Sequence, residues 1–123
     1  MSKRILVIDD DAAVCATVEH ILKRAGEQVV STLSVSQAFA LADSQAFDLL
    51  ISDLMMPEED GVAVIRKFKG RFPRMPVVAM SGGARLGSVD TLASARAAGA
   101  DELLRKPFNT ETLMAAVGAA LGK

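Results

Sequence analysis

The side chains in this sequence best suited to chemistry are hard oxygen donors and one amine. Asp9, Asp10 and Asp11 stand in a row, Asp53 precedes a Leu-Met-Met-Pro string, Ser81 precedes two glycines, and Lys106 precedes Pro107. Carboxylates gathered within a few ångström cannot all stay ionised unaided. A hard divalent cation relieves the repulsion. An all-oxygen donor set suits Mg²⁺, which keeps several waters and binds phosphate oxygens. A lysine there acts as a point charge on an anionic ligand, and a hydroxyl donates to one of its oxygens. Carboxylate, cation, amine and hydroxyl together suit phosphoryl transfer, where charge spread over the equatorial oxygens needs several fixed positive partners.

The elements that must gather these groups follow from hydrophobic periodicity. Ile5 to Ile8 is a continuous apolar run, as expected of a strand buried on both faces. From about Ala12 to Ala25, Val14, Val18, Ile21, Leu22 and Ala25 share one helical face; Asp11 can cap the start and Gly26 stops the helix. Gln28 to Thr32 predicts a second strand. Ser34 and Gln37 have capping-box spacing for a helix to about Asp43. Leu49 to Ser52 predicts a third strand, Pro57 to Gly61 a loop, and Val62 to Lys69 a helix capped by Asp60. Pro76 to Met80, Ser88 to Ala98, and Glu102 to Arg105 predict strand, helix and strand. Asn109 opens a last helix carrying Leu113, Val117 and Leu121. Strands alternating with helices form a parallel α/β sheet covered on both faces. In such sheets ligands bind outside the carboxyl ends of the strands. The four strand ends that carry Asp9 to Asp11, Asp53, Ser81 and Lys106 therefore fall on one edge.

Composition excludes several other functions. With 123 residues the chain has the length of one domain. Its 14 basic and 15 acidic residues give a net charge of −1, so no basic field attracts nucleic acid, and without Trp or Tyr base stacking is poorly served. A single cysteine, Cys15, excludes an internal disulfide and fits a reducing compartment. The apolar run after Arg4 is too short for a signal-peptide core or a membrane span.

Four strings carry a family resemblance: ILVIDDD, LLISDLMMPEEDG, PVVAMSGG and GADELLRKPF. In this order and at these separations they resemble a bacterial response-regulator receiver domain of the stand-alone, chemotaxis-receiver type, over essentially residues 1–123. The resemblance implies a doubly wound, flavodoxin-like (βα)5 fold with strand order 2-1-3-4-5. It implies Asp53 as phosphoacceptor, a nucleophilic carboxylate, and Mg²⁺ held by Asp10 directly, Asp9 mainly through water, Asp53, and the backbone carbonyl of Met55. Ser81 resembles the switch hydroxyl, Lys106 the partner of a phosphoryl oxygen, and Lys106-Pro107 is expected to be cis. The implied phosphoryl donor is a phosphohistidine on a sensor histidine kinase or a histidine phosphotransfer protein. The implied output is protein contact or phosphorelay by a cytoplasmic monomer or phosphorylation-dependent dimer that is not an enzyme and binds no nucleic acid or membrane.

The sequence also departs from the family pattern. Leu103 stands at a switch position often held by an aromatic residue, so no ring hydroxyl can change partners there. Met55 and Gly83, two residues beyond Asp53 and Ser81, occupy positions that tune hydrolysis, and neither side chain can orient a water. This favours a slowly hydrolysed phosphoryl group. The Ser81-to-Lys106 segment, with Gly82, Gly83 and Gly87, is longer than in common receivers, and its loop is expected to be mobile.

Ordinary accounts stand beside these. Asp9 to Asp11 could simply favour a helix N-terminus, and for Asp11 that is the reading adopted. Asp53 alone would be a turn residue, Ser81 a turn hydroxyl, Lys106 a solvated strand end. Together they outweigh these separate accounts. Glu58 and Glu59 read as loop charges, although Glu58 could reach a cation's water shell. Arg66, Lys67, Lys69, Arg71 and Arg74 read as a solvated helix face, His20 as an exposed residue on a helix that could receive a kinase, and Cys15 as buried packing. Two other functions compete. Asp9 and Asp11 have the D-x-D spacing of a small Mg²⁺-dependent phosphohydrolase with an Asp nucleophile, but Ala13 lacks the expected hydroxyl and no cap domain is expected to close the site. A phosphate-blind scaffold would have lost an acidic residue or Lys106, and neither is lost. Gly82 to Ser88 spaces glycines like a phosphate loop, but Ser88 stands where lysine is required.

Overall fold

The apolar runs form the strands, and the helical-period stretches cover them. The computed structural model describes residues 2–56, 59–82 and 89–122. Its principal strands are β1 (Arg4–Ile8), β2 (Gln28–Thr32), β3 (Leu49–Asp53), β4 (Val77–Gly82) and β5 (Glu102–Lys106). They alternate with α1 (Ala12–Arg24), α2 (Val35–Ser44), α3 (Gly61–Arg71), α4 (Val89–Ala98) and α5 (Thr110–Leu121). The strands form one parallel sheet in the order β2-β1-β3-β4-β5, the doubly wound arrangement expected.

The period of two along each strand sorts the core into two layers. Leu6, Ile8, Leu50 and Ala79 point to the face covered by α2, α3 and α4, where Ala38, Val64, Ile65, Phe68 and Ala95 meet them. Ile5, Val7, Leu49, Ile51, Val78, Met80 and Leu104 point to the opposite face, against Cys15, Val18 and Leu22 of α1 and Leu113 and Val117 of α5. Continuing the second alternation by one step beyond Val7, Ile51 and Leu104 reaches Asp9, Asp53 and Lys106. The pleat thus aims all three onto the α1/α5 face of one sheet edge.

Local chemistry sets the helix starts. The side chains of Asp11, Ser34, Asp60 and Asn109 accept the N–H groups of Ala13 (2.9 Å), Gln37 (3.2 Å), Val62 (3.0 Å) and Thr112 (2.8 Å), satisfying donors that a helix leaves unpaired. Gly26, at φ +94°, takes the chain out of α1 through a left-handed turn.

Several boundaries differ from the sequence expectation, most by a single residue. The stretch read as a loop after Asp53 contains a short antiparallel ribbon, Met55–Met56 with Glu59–Asp60. β4 continues through Ser81 to Gly82 because β5 keeps pairing with it to Lys106. α3 extends past both expected ends: Asp60 caps it as expected, the helix begins at Gly61, and Arg71, ion-paired with Asp43, stays helical. The expectations for Pro57, Glu58, Gly83, Gly87 and Ser88 lie outside the described residues.

Candidate functional site

β1 lies between β2 and β3, so the chain winds away in opposite directions on its two sides. In such sheets the crevice at that switch point receives ligands. Ile8 pairs with Ser52 across β1 and β3, so Asp9 and Asp53 leave adjacent strands side by side. One carboxylate oxygen from each of Asp9, Asp10 and Asp53 lies within 4.8 Å of the others. Asp9 and Asp53 are buried, and Asp10 is exposed at the mouth.

Asp9 is fully buried and both its oxygens are engaged. Oδ1 accepts the Asp11 N–H at 2.9 Å, and Oδ2 accepts from Lys106 Nζ at 2.8 Å. The same ammonium lies 3.2 Å from Asp53 Oδ1. That contact is an ion pair without hydrogen-bond alignment, and Asp53 Oδ1 has no hydrogen-bond partner among the described residues. Lys106 reaches across β4 where Gly82 stands opposite it and offers no side chain. The Lys106-Pro107 peptide is cis.

The electrostatics follow from burial. Desolvation, then the charge of Asp9, raises the Asp53 carboxyl above its ordinary value; Lys106 and the Met55 backbone N–H only partly oppose this. Burial pulls the Lys106 ammonium down. Its hydrogen bond to Asp9 and the charges of Asp53 and Asp9 more than offset that, and the net shift is upward. One ammonium among three carboxylates leaves negative charge in excess. The donor set is entirely oxygen, and one buried oxygen, Asp53 Oδ1, accepts no hydrogen bond among the described residues. These residues fit a hard divalent cation such as Mg²⁺.

The other expected positions fall around this centre. Ser81 is buried on β4, one residue beyond Met80, the partner of Asp53 in the ladder. Met55 follows β3 with its side chain 44% exposed. Leu103 is half-buried, pairs with Ala79 and packs against the α2/α3/α4 layer. A cleft of about 450 Å³ between α1 and the end of β5, lined by Ala13, Val14, Thr17, Gly82, Pro107 and Phe108, opens onto Lys106.

Some residues take other roles. Asp11 is an exposed cap whose Oδ1 accepts the Ala13 N–H, and each oxygen of buried Asp9 accepts one hydrogen bond. Cys15 is buried beside the Asp9 carbonyl, and burial pushes its thiol up to about 11, which leaves it an unreactive packing group. His20 is exposed. The basic run divides: Lys69 pairs with Asp101 at 3.0 Å and donates to the Met75 carbonyl at 3.1 Å, while Arg66, Lys67 and Arg74 are exposed. Sequence reasoning missed the ion pair of Lys106 with Asp9, which depends on the sheet register.

The family described as response regulator receiver domain matches residues 5–118. The transcriptional regulatory protein ZraR of Escherichia coli K12 is 35% identical over 117 residues, 95% of this chain but only 26% of that protein. The chain thus spans about a quarter of the length of the curated relatives it matches. Among solved structures, a receiver domain protein from Clostridium thermocellum (29% identity, TM-score 0.86) is covered over 97% of this chain and 94% of its own. The chemotaxis protein CheY4 of Vibrio cholerae (27% identity, TM-score 0.89) is covered over 98% and 99%.

Proposed function

The chain belongs to the response regulator receiver domain family, and from that premise we propose that Asp53 is its phosphoryl acceptor. Receiver domains are phosphoacceptor signalling domains that take phosphate from histidine kinases or phosphotransfer proteins and bind Mg²⁺ at an acidic pocket. The observation that supports Asp53 over its neighbours is its buried Oδ1, which accepts no hydrogen bond among the described residues and lies 3.2 Å from the Lys106 ammonium. Asp9 has both oxygens committed, and Asp10 is solvated.

Asp9, Asp10, Asp53 and the Met55 carbonyl would hold Mg²⁺. When bound, that ion supplies positive charge to the oxygens of the transferring group. An Asp53 oxygen forms the new O–P bond while the P–N bond to the donor imidazole breaks; the electron pair returns to that nitrogen, and the ring, already protonated on its other nitrogen, leaves as neutral imidazole. Lys106, already 3.2 Å from Asp53 Oδ1, neutralises an oxygen of the arriving phosphoryl group. Ser81 donates its hydroxyl to another. The cleft beside α1 opens onto Lys106, which lies 3.2 Å from Asp53 Oδ1. The phosphoryl group adds charge and acceptors, to which Ser81 and Leu103 respond, and the altered surface is read by a protein partner. We read residues 1–123 as one such domain, acting in the cytoplasm as an acceptor and not as a turnover catalyst.

The test is to incubate the protein with Mg²⁺ and a small acyl-phosphate donor. One phosphoryl group labile to hydroxylamine supports the reading; a phosphoryl group stable to hydroxylamine contradicts an acyl phosphate.

A further inference from the structure

Gly61 opens α3 and is buried. Its φ is not left-handed, so its backbone conformation is open to any residue. What it lacks is space. A β-carbon there would stand 2.3 Å from the carbonyl oxygen of Leu54, 2.4 Å from its Cα and 2.5 Å from its carbonyl carbon. These are backbone atoms, and at such distances one segment must move.

Leu54 is not free to yield. Its N–H donates to the Met80 carbonyl at 2.9 Å, and its side chain is buried in the α2/α3/α4 layer. Leu54 also joins Asp53 to Met55. Beyond it the chain runs out through Met55–Met56 and returns through Glu59–Asp60, with Met55 opposite Asp60. The loop leaves at Leu54 and comes back at Gly61, so the glycine closes its neck.

We propose that Gly61 is a positioning residue for the phosphoacceptor site. Its missing side chain lets the first turn of α3 seat against the Leu54 peptide. That seat fixes the Met55 backbone, whose N–H faces Asp53 and whose carbonyl is assigned above to the cation. The inference rests on the functional reading given there. A displaced supporting group weakens a metal site by about 10- to 100-fold.

The experiment compares Gly61→Ala with Gly70→Ala. Gly70 lies on the same helix, exposed, and a β-carbon there would meet nothing within 4 Å. Mg²⁺ affinity is measured by calorimetry, the metal-free fold by circular dichroism and melting temperature, and the amide shifts of Asp53, Leu54 and Met55 by NMR without metal. Gly61→Ala is expected to stay folded, shift those amides and raise the Mg²⁺ dissociation constant about tenfold or more; Gly70→Ala is expected to do neither. An unchanged dissociation constant in a folded Gly61→Ala overturns the proposal, as does equal weakening by Gly70→Ala. A Gly61→Ala chain that cannot fold also overturns it, since the contact would then serve the fold as a whole. If the wild-type protein bound no Mg²⁺ and took no phosphoryl group, the functional reading would fail and this inference with it; failure confined to the variant comparison overturns only the role of Gly61.

Discussion

Lys106 Nζ lies 2.8 Å from Asp9 Oδ2, closer than its 3.2 Å approach to Asp53 Oδ1. The ammonium thus hydrogen-bonds Asp9 and makes only an ion pair, without hydrogen-bond alignment, with Asp53. It supplies part of the positive charge that a cation would otherwise supply. Lys106→Met removes that charge and leaves Asp9 fully buried opposite Asp53. Breaking a buried pair from one side costs about 3 kcal/mol, so the metal-free melting temperature falls. Mg²⁺ binds the variant more tightly and narrows the deficit. Thermal denaturation with chelator and with Mg²⁺ checks both effects; a deficit unaltered by Mg²⁺ contradicts the account.

The pH dependence follows from Asp53. Its folded-state carboxyl is raised by desolvation and then by Asp9. Its contribution to stability is therefore fully present below the unfolded pKa and is lost as pH rises through the folded value. At neutral pH, burying the Asp53 carboxyl is therefore a liability to the metal-free fold. Asp53→Asn is expected to raise the melting temperature at pH 7 in chelator, with a gain that shrinks as pH falls into the acid range. Calorimetric scans at both pH values measure it, and a gain that grows on acidification has the wrong sign.

Mg²⁺ is expected to stabilise the wild-type fold through the same centre. A ligand that binds only the native state adds about 2.7 kcal/mol at a hundredfold excess over its dissociation constant. Asp9→Asn and Asp10→Asn should each remove most of that increment, whereas Asp11→Asn, which alters only a helix cap, should keep it. Melting curves across a Mg²⁺ titration decide this.

The core that holds the site edge can be tested away from it. Phe68 is fully buried and stacks on Phe39 with ring centroids 4.1 Å apart. Phe68→Ala should cost about 3–5 kcal/mol, read as a lower denaturation midpoint. A loss below about 1 kcal/mol would show that the α2/α3 layer does not carry this stability.

Much of this architecture is legible in the residues. Runs such as Ile5 to Ile8 and Leu49 to Ser52 announce strands buried on both faces. Asp11, Ser34, Asp60 and Asn109 announce the helix starts, and the polar residues that end the strands announce the site. The commitments within the site are not legible. Asp9 and Lys106 are 97 positions apart, and their pairing depends on the sheet register, in which Lys106 stands opposite Gly82. The Met55–Met56 ribbon is too short to carry a periodic signal. The need for glycine at position 61 lies in its approach to Leu54, which a sequence string does not display.

The central claim, that Asp53 and not Asp9 takes the phosphoryl group, is tested most directly by intact mass. Wild-type protein, Asp53→Asn and Asp9→Asn are each incubated with Mg²⁺ and a small acyl-phosphate donor. The account predicts one added phosphoryl group on the wild type, none on Asp53→Asn, and slower addition to Asp9→Asn. Phosphoryl addition that persists in Asp53→Asn and vanishes in Asp9→Asn would contradict it.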